Sequence, residues 1–130
     1  MLSKVAAGFP SPADSEISAE LSFDELLIQH PASSFFVRAI GNSLIEAGIF
    51  EGDILVVDKQ LQAKTGQLVI AAVNGELTAK YLAQTPTGAP ELRPANKNLK
   101  PIAISGETEF EVWGVVTGVV RQLLKPTAHS

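Results

Sequence analysis

The sequence predicts a mainly β fold: a mostly antiparallel, partly open β structure with one short N-terminal helix. Three observations predict it. Short runs rich in β-branched residues recur from Ser34 onward. Two of those runs are separated only by Asn74-Gly75, a pair that accepts positive φ at both turn positions and closes a tight hairpin. Helix-start signals followed by an apolar run appear near Ser22.

Each element follows from its own residues. Residues 1–22 contain Gly8-Phe9-Pro10-Ser11-Pro12 and then a polar run without apolar periodicity, which predicts a flexible N-terminal arm outside the core. Ser22-Phe23-Asp24-Glu25 has the spacing in which an N-cap serine and a glutamate satisfy each other's free N–H groups, predicting a helix over 23–29 that Pro31 ends. That helix opens a β-rich domain over 23–130. Its strands are predicted over 35–40, 53–58, 67–73 and 76–82, then over 90–93, 102–105 and 110–121. In the last strand, Gly114 and Gly118 mark a bend or bulge. The tail from Lys125 to Ser130 reads as frayed.

Composition limits the chemistry. With 130 residues, 45% of them hydrophobic and 18% charged, one compact domain with its own core is expected. A net charge of -4 argues against a chain whose main task is covering phosphate backbone, so no direct sequence-specific DNA binding is expected. No cysteine is present, and the two histidines, His30 and His129, lie far apart. That excludes a thiolate nucleophile and a zinc cluster, and leaves no histidine as an obvious base; neither cofactor nor metal is expected. The first residues lack the apolar run of a secretory signal, and no stretch approaches the roughly twenty apolar residues of a membrane span. A soluble cytoplasmic protein without a membrane partner is the expectation.

The segment Gly41-Asn42-Ser43-Leu44-Ile45-Glu46 joins two predicted strands and leaves two readings of Ser43 open. Ser43 and Glu46 again have capping-box spacing, so the serine can simply cap a helical turn. A serine at a helix start also lies beside unpaired N–H groups, which suit the oxyanion of a tetrahedral intermediate. Such a nucleophile needs a base, and without a usable histidine the candidate is a neutral lysine. Lys80 lies in the second hairpin strand, sharing a face with Glu76 and Thr78; alternation alone makes it an exposed lysine on a solvated face. At an unperturbed pKa of about 10.4, only about 0.04% of lysines are neutral at pH 7, so burial would have to supply most of the shift.

Several linked motifs together resemble the UmuD branch of the LexA/UmuD family of self-cleaving SOS-response serine peptidases. They are Ala7-Gly8-Phe9-Pro10-Ser11-Pro12, Leu26 through Pro31, Gly41-Asn42-Ser43 through Gly52-Asp53, Val56-Val57-Asp58, Asn74-Gly75-Glu76 with Lys80, and Val112 through Val116. The resemblance implies Ser43 as nucleophile, Lys80 as general base and Ala7-Gly8 as the self-cleavage site. It implies an autoproteolysis stimulated by a RecA filament on single-stranded DNA. The processed chain would form a homodimer and act as accessory subunit of a UmuC-type Y-family translesion polymerase in SOS mutagenesis. Three features depart from the pattern: Gly41-Asn42-Ser43-Leu44 stands where the family usually has Gly-Asp-Ser-Met, only seven residues precede Gly8, and no helix-turn-helix segment precedes the domain. The last makes a repressor role unexpected. A non-catalytic β-rich interaction module that no longer cleaves itself is the alternative reading. A signal peptidase also uses a serine/lysine pair but needs a membrane anchor.

Overall fold

A computed structural model describes residues 22–124; the arm before Ser22, with Ala7 and Gly8, and the tail from Lys125 lie outside the described residues. Helix α1 spans Phe23–Leu27. Strands follow as β1 (Ser34–Arg38), β2 (Ile54–Asp58), β3 (Leu68–Val73), β4 (Glu76–Gln84), β5 (Pro90–Arg93), β6 (Ile102–Ala103) and β7 (Phe110–Val120). They form one antiparallel sheet in the order β1-β2-β7-β3-β4-β5-β6. The predicted fold class is therefore the observed one.

Local chemistry explains the elements and their limits. Ser22 Oγ accepts the Glu25 N–H at 3.1 Å, so the N-cap forms as expected. The helix is nevertheless shorter than predicted, because Ile28 already adopts an extended conformation (φ -122°, ψ 105°) and a 3₁₀ turn follows over Pro31–Ser33. Asn74 and Gly75 have φ of 50° and 86°, the paired left-handed conformation of a two-residue hairpin turn. Strand β7 slips register beside each glycine, between the Gly114 and Val112 pairings to β3 and between the Gly118 and Val116 pairings to β2. These irregularities let one long strand bridge the two halves of the sheet.

Strand β3 is apolar on successive residues because both of its faces are covered. Leu68 and Ile70 pack with Leu44, Ile49, Leu55 and Val57. Val69 and Ala71 point the other way, as alternation requires, and pack with Leu92 and Val115. Leu44 and Ile49 come from the β1–β2 connection rather than from a strand. Burying them at 4% and 7% exposure fixes that connection against the sheet.

Candidate active site

The β1–β2 connection is shaped by three residues in left-handed conformations, Gly41, Gly48 and Gly52, with φ of 79°, 77° and 95°. Its only helical structure is a 3₁₀ turn, Ile45–Ala47, capped by Leu44 without a side-chain hydrogen bond. The capping-box reading of Ser43 is thus corrected. Glu46 does not reach back to Ser43; its Oε2 accepts the Lys97 N–H at 2.8 Å. Ser43 Oγ is left to accept from Lys80 Nζ at 3.4 Å.

A turn just after β5 holds this loop from behind. Ala95 N–H donates to the Ser43 carbonyl at 2.7 Å, and Glu46 N–H donates to the Ala95 carbonyl at 2.8 Å. Asn96 Nδ2 donates to the Asn42 carbonyl at 2.9 Å. Among the described residues, the Ser43 and Leu44 N–H groups donate to no acceptor. Asn42 itself is exposed, whereas Leu44 is core.

Lys80 comes from β4, paired in register with Val69. The expectation of a solvated lysine does not hold, since the side chain is half-buried beside the Ser43 loop. Val37, Ala39, Leu55, Ile70 and Ala79 give the shared cleft a mostly apolar lining. Removing water from around an ammonium disfavours its charged form, and this burial pushes the Lys80 pKa below its ordinary value of 10.5. Lys80 Nζ also donates to Thr78 Oγ1 at 2.6 Å, which orients the amine. Once deprotonated, the amine can keep that donated bond and turn its lone pair toward Ser43 Oγ, the arrangement general-base catalysis requires.

The structure therefore brings Ser43 and Lys80 together, while Ala7 and Gly8 lie outside the described residues. Thr78 and Asn96 were missed by sequence reasoning. Thr78 had a signal, its place two residues before Lys80 on the same strand face. Asn96 had none, because 54 residues separate it from the carbonyl it holds. His30, at the far end of β1 from the Ser43 loop, pairs through Nδ1 with Asp58 Oδ2 at 2.6 Å. That bond holds the Asp58 carboxyl below its ordinary pKa. No described helix is long and apolar enough to cross a membrane.

Comparison with known proteins places these observations in a family context. Residues 1–117 match the family model described as Peptidase S24-like. The chain is 40% identical over 117 residues to Protein MucA of Salmonella typhimurium, covering 89% of this chain and 79% of that protein. Protein SamA of Salmonella typhimurium (strain LT2) is 41% identical over 117 residues, with the same shares covered. LexA repressor of Bordetella petrii is 36% identical over 122 residues, covering 93% of this chain but 53% of the repressor.

Proposed function

The chain belongs to the LexA/UmuD family of S24-like peptidases, and from that premise we propose that Ser43 and Lys80 form a dyad that cleaves the chain's own Ala7–Gly8 bond. The observation that carries this reading is the 3.4 Å approach of Lys80 Nζ to Ser43 Oγ inside a mostly apolar cleft. Neutral Lys80 takes the Ser43 hydroxyl proton as the oxygen attacks the Ala7 carbonyl carbon. The tetrahedral intermediate collapses with breakage of the C–N bond, and the Lys80 ammonium returns a proton to the departing Gly8 amine. Water, deprotonated by the same lysine, then hydrolyses the Ala7 ester of Ser43. Small Ala7 and Gly8 let the backbone approach the nucleophile closely.

The fourteen residue-to-residue steps from Gly8 to Ser22 can extend to about 46–50 Å, enough to reach the chain's own cleft or that of a second copy. Tethering supplies the effective concentration that a weakly activated serine needs. By the family likeness, a RecA filament on single-stranded DNA favours the arm position competent for cleavage. The processed chain then forms a homodimer that serves a UmuC-type Y-family polymerase in SOS mutagenesis. A protein-binding role is supported by an apolar surface groove between α1 and the sheet, where Leu26, Phe36, Val119 and Val120 are exposed.

Intact mass followed over time at pH 7 and near pH 10 tests the reading, with Ser43→Ala and Lys80→Ala beside the parent. Loss of residues 1–7 from the parent alone, faster in alkali, is the expected result. A parent that stays whole in alkali and with an activated RecA filament would leave the non-catalytic interaction module as the better reading. Sedimentation of the processed chain tests the homodimer, which a monomer at micromolar concentration would rule out.

A further inference from the structure

The geometry points to Asn96 as a positioning residue for the nucleophile, an inference that rests on the self-cleavage reading. Asn96 is 5% exposed and both ends of its amide are used. Nδ2 donates to the Asn42 carbonyl at 2.9 Å, and Oδ1 accepts the Asn98 N–H at 2.9 Å. The carbonyl that Asn96 grips belongs to the same peptide unit as the Ser43 N–H. In a trans planar peptide the C=O and N–H point in opposite directions. Holding the Asn42 oxygen against the turn after β5 therefore directs the Ser43 N–H away from that turn.

The next peptide unit is held in the same sense, because the Ser43 carbonyl accepts the Ala95 N–H at 2.7 Å. Ser43 is thus flanked by two peptide planes whose oxygens are tied to residues 95–96 and whose N–H groups have no acceptor among the described residues. A free donor fixed beside a nucleophile is suited to the negative oxygen that develops in the transition state, and its value depends on being aligned beforehand. Among the described residues the Asn42 carbonyl has one other donor, the Ile45 N–H at a long 3.5 Å. Without Asn96 the peptide before Ser43 loses its close restraint. Among the described residues Asn96 makes no hydrogen bond to Lys80, and it acts through the orientation of that peptide.

Asn96→Ser tests this in the full chain. Serine can still accept the Asn98 N–H locally but is too short to reach Asn42. Self-cleavage is followed by intact mass from pH 6 to 10.5, well below the melting temperature, with rates normalised to the folded fraction. The expected result is a plateau rate lowered by about 10- to 100-fold, a fraction of what complete removal of an oxyanion donor costs, with the pH midpoint unmoved because Lys80 keeps its surroundings. A purely fold-stabilising residue would leave the rate per folded molecule unchanged. A normalised plateau within about threefold of the parent overturns the inference, as does a midpoint that moves with the rate. Should Asn96→Ser not fold, Asn96→Thr gives the same reading. A parent chain that never cleaves overturns the self-cleavage reading and this inference with it; a cleaving parent with an equally fast variant overturns this inference alone.

Discussion

In the proposed dyad, Lys80 has to be neutral to accept a proton yet held firmly enough to accept it from one hydroxyl. Burial works toward the first requirement by lowering its pKa, and the 2.6 Å bond to Thr78 Oγ1 serves the second. Removing that acceptor separates the two effects. Thr78→Val withdraws a group that stabilises the ammonium, so the alkaline rise in self-cleavage is expected to shift to lower pH. The same change leaves the amine unguided, and the plateau is expected to fall about tenfold. A pH–rate profile checks both, and an unmoved midpoint with an undiminished plateau would make Thr78 dispensable. Ser43 shows why local spacing alone was ambiguous: the capping box with Glu46 was available in sequence, but the Lys97 N–H claimed the glutamate instead.

Strand β7 carries the sheet, since it pairs with β2 along one part and β3 along the other. Gly114 is the residue that makes this possible. A Cβ built there would stand 2.7 Å from Val57 Cγ1 and 2.9 Å from the Asp58 carbonyl oxygen, and the latter is backbone that cannot easily yield. Gly114→Ala is expected to destabilise the fold by about 1–3 kcal/mol, the usual cost of overpacking. Urea unfolding checks it; a midpoint equal to the parent's would mean that the strands separate there at no cost. The strands were legible in sequence because β-branched runs and turn residues act locally. Their ends were less so. β4 runs on to Gln84, past its predicted end, through pairing with β5, a partner that β4's own residues do not reveal.

The whole molecule is closed by an ion pair linking the chain just after β7 to the β1–β2 connection. Arg121 donates to both Asp53 oxygens, through Nε to Oδ1 at 2.8 Å and through an Nη to Oδ2 at 2.7 Å. The same Nη donates to the Gly48 carbonyl, and the guanidinium lies over the Phe50 ring. Arg121 and the Phe50 N–H hold the Asp53 carboxyl at a pKa of about 2, against an ordinary 3.8. A carboxylate with a depressed folded-state pKa contributes stability that is complete above the ordinary value and lost as pH falls through the folded one. That contribution should therefore decay from near pH 5 toward pH 2. In Arg121→Met the buried carboxylate loses its cation, so acid unfolding is expected to begin at higher pH and the melting temperature at pH 7 to fall by several degrees. Thermal melts from pH 2 to 7 check this, and superimposable curves would sink it. By itself, the amino-acid sequence determined what depends on neighbours along the chain: the strand runs, the Asn74–Gly75 hairpin, the glycine irregularities and the pairing of motifs that singled out Ser43 and Lys80. Tertiary structure alone decided whether that lysine was buried, which hydroxyl oriented it, and which turn held the serine's peptide. Desolvation and long-range hydrogen bonds arise only when segments distant in sequence are packed together, so strand alternation placed Lys80 on a solvated face although the fold half-buries it beside the Ser43 loop.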